Sequence, residues 1–134
     1  MSDPKRERGM EIRREVLGPE HVEASLRRAD DFTSDFQDLI TRYAWGEIWA
    51  RPGLDRRSRS CVTLTALVAL GRLDELALHV RGALRNSLTR EEIKEVLLQT
   101  AVYCGVPAAN SAFAVAQRVF QEIDSSGADD AEPS

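Results

Sequence analysis

ELALHVRGALRNSLTREEIKEVLLQ, residues Glu75 to Gln99, contains two helices and the turn between them, and its reading decides the fold class. Leu76, Val80, Ala83 and Leu84 recur at helical spacing, which gives a helix over about residues 73–86 one apolar face. Thr89-Arg90-Glu91-Glu92 then opens a second helix as a capping box, in which the Thr89 hydroxyl and the Glu92 carboxylate each satisfy a backbone N–H of the other residue. Ile93, Val96, Leu97 and Thr100 continue it to Tyr103. Two amphipathic helices joined by a short turn are the unit of an all-α domain.

The same punctuation divides the rest of the chain. Upstream, Asp55 is placed to cap a helix that runs through Cys61, Leu64, Leu67 and Val68 to Gly71, and its apolar content predicts a central position. A helix opening at Thr33 or Ser34 carries Phe36, Leu39, Ile40 and Tyr43, then Trp45, Ile48 and Trp49, and stops at Pro52-Gly53. Before it lie a short helix from His21 to Ala29 and a first helix from Pro4 to Leu17, closed by Gly18-Pro19. Downstream, Gly105 and Pro107 precede a helix over about residues 108–123. This makes about seven helices, with no alternating apolar pattern longer than a few residues, and predicts an all-α single domain over residues 1–123.

Residues 124–134 hold four acids and no base, so the net charge of −4 resides in an acidic tail expected to be disordered. Residues 51–90 carry eight arginines against three acids, a basic middle that the total conceals. At 43% hydrophobic and 30% charged, the chain reads as a soluble domain. No segment approaches the roughly 20 apolar residues of a membrane span, and MSDPKRERGM at the start lacks the apolar centre of a secretory signal; a cytoplasmic protein is expected. Cys61 and Cys104 lie far apart with no CxxC, which points to small buried side chains rather than a metal or redox pair.

Three groups of residues are candidates for chemistry. Glu75 and His79, four apart, project from one helix face, where the carboxylate is expected to raise the imidazole pKa toward neutrality; a plain surface pair is the alternative. Arg51, Arg56, Arg57 and Arg59, with Arg81 and Arg85, offer planar forks for carboxylates, although arginine is also simply the preferred base here, at 16 Arg to 2 Lys. Trp45-Gly46-Glu47-Ile48-Trp49 sets a carboxylate between two tryptophans, where Gly46 implies close packing or a ligand and Glu47 must be either exposed or functional. His21, near a turn, has the plainer role of a helix-end residue.

RREVLGPEHV (Arg13 to Val22), YAWGEIWARPGLDRRSRS (Tyr43 to Ser60), the stretch from Glu75 to Gln99, and YCGVPAAN (Tyr103 to Asn110), in that order, resemble the 4-carboxymuconolactone decarboxylases of the alkylhydroperoxidase-D-like superfamily. The resemblance spans roughly residues 7–122. It implies an all-helical subunit in a ring-like homohexamer, a trimer of dimers, and decarboxylation of 4-carboxymuconolactone to 3-oxoadipate enol-lactone without a cofactor, in the protocatechuate branch of the 3-oxoadipate pathway. In the peroxidase relatives a CxxC precedes the reactive His; alignment on His79 places Arg72 and Glu75 at the cysteines and Ser60 near an upstream Glu, so the thiol apparatus is absent. The implied substrate needs anion-binding groups, Arg51 and Arg85 foremost, an apolar wall from Trp45 or Trp49, and a proton donor: His79 poised by Glu75, or Glu47. No metal, nucleic acid or membrane partner is implied. The rival readings are a relative acting on another carboxylated lactone or ring compound, and a non-catalytic helical module binding nucleic acid through the basic middle.

Overall fold

Thr89 closes its capping box in the computed structural model, which describes residues 3–130 and the side chains of residues 3–127. The Glu92 N–H donates to Thr89 Oγ1 at 3.0 Å, and the Thr89 N–H donates to the Glu92 carboxylate at 2.9 Å. This starts α6, Arg90–Cys104. The other helices are α1 (Pro4–Leu17), α2 (Pro19–Arg28), α3 (Ser34–Ile40), α4 (Arg56–Leu70), α5 (Leu73–Arg85) and α7 (Val106–Asp130). Among the described residues there is no strand, and no helix is long and apolar enough to cross a membrane.

Apolar side chains form two clusters, and α5 lies between them. Leu76, Val80 and Ala83 face Leu64 and Val68 of α4, Ile93 and Leu97 of α6, and Ala112, Val115, Ala116 and Val119 of α7. On its other side, Leu78 packs against Met10, Ile12, Val16 and Leu17 of α1, Val22 of α2, and Trp45. Full burial of each large aliphatic side chain contributes about 1.5–3 kcal/mol. The central helix is therefore α5 and not α4, which buries only Ser60, Leu64 and Val68 while Val62 and Leu70 face outward. Apolar content measures how much surface a helix could bury, and part of α4's is left uncovered in the single subunit.

The third predicted helix changes pitch midway. From Thr41 to Trp49 it is a π-helix, and the change begins where the Thr41 hydroxyl donates to the Gln37 carbonyl at 2.7 Å. This segment lies backbone to backbone against α1. A Cβ on Gly9 would fall 2.0 Å from the Thr41 carbonyl oxygen, and one on Gly46 would fall 2.3 Å from the Lys5 carbonyl oxygen. Of the two reasons the sequence allowed for Gly46, close packing is the one observed.

The last helix runs past Ile123, where the sequence reading ended the domain. Residues 124–130 are helical, and Asp124 accepts from both terminal nitrogens of Arg90, at 2.7 and 3.1 Å. The same guanidinium lies 4.7 Å from the centre of the Phe120 ring. The first residue of an acidic, apolar-poor stretch is thus tied to α6 by a charge pair, information that composition does not contain; residues 131–134 lie outside the described residues. Cys61 and Cys104 are free and half-buried at the edge of the α4–α7 cluster.

Candidate active site

His79 leaves α5 at the seam between the two clusters. Its imidazole lies parallel to the Trp45 indole, 6° between planes and 6.4 Å between centroids. Trp49 stacks on Trp45 at 5.1 Å and 23°, so the π-helix brings a pair of indoles up to the histidine. Burial pushes the His79 pKa down to about 4; the nearby His21 adds to the shift and Glu75 opposes it weakly.

This reverses the expectation from the Glu75/His79 spacing. The Glu75 carboxylate accepts from Arg72 Nη2 at 2.6 Å, and that guanidinium holds it below its ordinary pKa. Helical spacing places two side chains on one face, but a better donor one turn back takes the carboxylate. Enclosure then dominates the imidazole, which is neutral at pH 7.

Arg85 crosses from α5 to the end of α1. Its Nη1 donates to the Val16 carbonyl at 3.3 Å, and its guanidinium lies on Gly18, where a Cβ would come within 2.7 Å of Nη2. Gly18 also has φ of 92°, a left-handed conformation that disfavours a side chain, and this is what calls for glycine, since the Arg85 tip could move aside. Arg85, Leu17, His21, Leu78 and Arg81 line an open cavity of about 870 Å³, within the size range of small-molecule sites. At its far end Arg81 and Arg118 both pair with Glu122, at 2.8 and 3.8 Å. Among the described residues no carboxylate comes within ion-pair distance of Arg85; Glu20, which lines the same cavity, acts on it only at longer range, so the guanidinium can still pair with a ligand.

His79, Trp45 and Trp49 are not among the residues that line this cavity, and Trp49 borders a separate pocket with Ile48, Leu54 and Arg59. The remaining candidates also lie elsewhere in this subunit. Glu47 is exposed and 3.7 Å from Lys5 Nζ. The Arg51 side chain is exposed on the loop after the π-helix, and its carbonyl accepts from Arg59 Nη2 at 3.1 Å. Much of the predicted arginine cluster is occupied: Arg56 pairs with Glu15 at 2.6 Å, and Arg57 pairs with Glu92 and donates to the Ser87 carbonyl. Arg59 bonds the Leu54 and Arg51 carbonyls. Ser60 accepts from Asn86 Nδ2 at 2.9 Å as a buried brace between α4 and α5. Among the described residues no three His, Cys, Asp or Glu side chains gather as a metal site requires.

Two further residues belong to this neighbourhood: His21, to which the sequence reading assigned a plainer role, and Arg13, which it did not single out. His21, half-buried on the first turn of α2, lines the cavity and lies within electrostatic reach of His79, Arg85 and Arg13. Arg13 is buried beside the π-helix. The available signal was its place in the sequence: an arginine set among Met10, Ile12, Val16 and Leu17 on the apolar face of α1 has to be accounted for.

The family model for carboxymuconolactone decarboxylases matches residues 34–118, which includes the π-helix, α4, α5, α6 and the first half of α7. The chain belongs to the carboxymuconolactone decarboxylase family. Members of known activity resemble it along most of its length. It is 48% identical over 124 residues to a 4-carboxymuconolactone decarboxylase of Acinetobacter baylyi, an alignment covering 92% of each chain. It is 45% identical over 119 residues to a nitrosuccinic acid decarboxylase of Metarhizium robertsii, covering 89% of this chain and 83% of that one. A shorter match, 49% identical over 39 residues, joins it to a 4-carboxymuconolactone decarboxylase of Pseudomonas putida, covering 29% of this chain and 81% of that one. The family's defining match thus contains His79, Trp45 and Arg85, while Arg13 and His21 lie outside residues 34–118.

Proposed function

We propose that this protein is a carboxy-lyase that converts 4-carboxymuconolactone to 3-oxoadipate enol-lactone, without a cofactor, in the protocatechuate branch of aromatic breakdown. The observation that carries this reading is the 48% identity across 92% of both chains to a decarboxylase of that substrate.

Arg85, which makes no ion pair with the acids around it, holds the carboxylate that stays. The C–C bond to the other carboxylate breaks, CO2 leaves, and the electron pair spreads through the ring double bond to the lactone carbonyl. Trp45, parallel to His79 and stacked on Trp49, keeps water from the imidazole that serves that delocalised anion. A neutral imidazole is a poor acid, so His79 donates only after the substrate's negative charge has raised its pKa and drawn a proton onto it. The imidazolium then protonates the carbanion and recovers a proton from solvent. Glu75 acts only as a weak, screened charge near His79, and Glu47 and Arg51 act from outside this cavity, where a neighbouring subunit would have to bring substrate to them.

A homohexameric ring, a trimer of dimers in the cytoplasm, completes the reading. Its support is the apolar surface the single subunit leaves uncovered: Phe32 is 93% exposed, and Leu70, Val102 and Tyr103 are also open.

A second reading has its own support in the 45% identity to a nitrosuccinic acid decarboxylase. Nitrosuccinic acid shares the chemical demand: a second carboxylate to hold and an electron-withdrawing group to receive the pair left by CO2. Purified protein offered each compound decides between them. The lactone reading expects a kcat/KM at least about tenfold higher for 4-carboxymuconolactone, a difference of roughly 1.4 kcal/mol in transition-state binding; the reverse order makes nitrosuccinate the substrate.

A further inference from the structure

Arg13 is only 4% exposed, yet its charge meets no acid among the described residues. Nη1 donates to Thr41 Oγ1 at 3.2 Å and Nη2 to Gln37 Oε1 at 2.9 Å, both neutral acceptors, while the buried Nε has no partner. Burial lowers the Arg13 pKa, but a guanidinium remains charged at any working pH. A desolvated cation held only by neutral groups is costly unless an anion completes it.

Its surroundings connect it to the cavity. Thr41 lies on the same π-helix as Trp45, whose indole stacks on His79. Val16, one turn beyond Arg13 on α1, accepts from Arg85. The charge of Arg13 also reaches His21 on α2, where it acts in the same direction as Arg28 of that helix and Arg85 of α5.

We propose that Arg13 is a specificity-determining positioning residue, a second positive charge buried behind the cavity wall that makes the site prefer dianions over monoanions. Arg85 faces the ligand, and Arg13 acts through the low-dielectric interior without touching it, its fork held by Gln37 and Thr41. The inference rests on the cavity being the binding site of a carboxylate substrate, but not on which substrate it is.

Tryptophan fluorescence titrated with succinate and with butyrate tests this without turnover. The wild type is expected to bind succinate at least about tenfold more tightly than butyrate, Arg13→Met to lose that preference to within about threefold, and Arg13→Lys to keep it. A structural role alone would weaken both ligands together and leave their ratio unchanged. The proposal is overturned if the Met variant retains the wild-type ratio, or if Lys loses it as Met does, which would assign Arg13 to its hydrogen bonds. Where the Met variant does not fold, Arg13→Gln, which removes the charge and keeps a hydrogen-bonding side chain, decides by the same ratio. A wild type that discriminates in this way but does not decarboxylate 4-carboxymuconolactone would retire the proposed substrate and leave Arg13 in place.

Discussion

The indole of Trp45 and the imidazole of His79 lie in nearly parallel planes, 6° apart, with 6.4 Å between their centroids. The stacking couples the π-helix to α5, and it helps to exclude water from an imidazole whose pKa burial lowers to about 4. Depression of the His79 pKa follows from enclosure, and its consequences are measurable.

Acid should unfold the chain through His79 before the carboxylates respond. The folded-state pKa is about 4 against an ordinary 6.5, so between those values the unfolded chain binds a proton that the folded chain does not. The stabilisation is present above pH 6.5 and is lost as pH falls toward 4. Urea denaturation should show a loss of about 2 kcal/mol between pH 7 and pH 5 from this group. His79→Gln should lose about that much less across the same interval.

Binding of a dicarboxylate should bring a proton into the site. Calorimetry of succinate binding at pH 6.5, repeated in buffers of different ionisation enthalpy, should show net proton uptake in the wild type and a smaller uptake in His79→Gln. Equal heats in all buffers would mean that His79 stays neutral when anions bind.

Gly46→Ala should destabilise the protein although alanine is the better helix former. A Cβ there would lie 2.3 Å from the Lys5 carbonyl oxygen, a backbone atom that cannot turn aside. Overpacking of this kind costs about 1–3 kcal/mol or more, against a propensity gain near 1 kcal/mol. Thermal unfolding should show a lower Tm, and activity should fall with it because the same segment carries Trp45.

Removal of residues 124–134 should lower Tm and leave kcat/KM within about twofold. The truncation takes Asp124 from Arg90, and none of the residues that line the Arg85 cavity lies beyond Glu122. A large loss of activity would place that end of α7 in the site.

Much of the fold can be read from local chemistry. Pro4, Gly18, Asp55, Gly71 and the Thr89/Glu92 box bound their helices as the sequence reading places them, because a cap is settled by a few adjacent residues. The π-helix was not legible, since its pitch depends on α1 approaching Gly46 from 37 or more residues away in the chain. The site was legible in part. His79, Trp45 and Arg85 stand out by residue type, but the partner of each charge is a tertiary fact: Arg72 captures Glu75, Glu15 captures Arg56, and Lys5 approaches Glu47. His21 reaches the cavity only because α2 turns back on α1 at Gly18, and its own segment carries no mark of that.

Decarboxylation of 4-carboxymuconolactone by the wild type, His79→Gln and Glu47→Gln, followed by ultraviolet absorbance, tests the account most directly. The wild type should turn the lactone over, His79→Gln should lose at least about two orders of magnitude in kcat, and Glu47→Gln should stay within about fivefold. Near-wild-type turnover by His79→Gln, with the large loss falling on Glu47→Gln, would contradict the account and move the proton donor to Glu47.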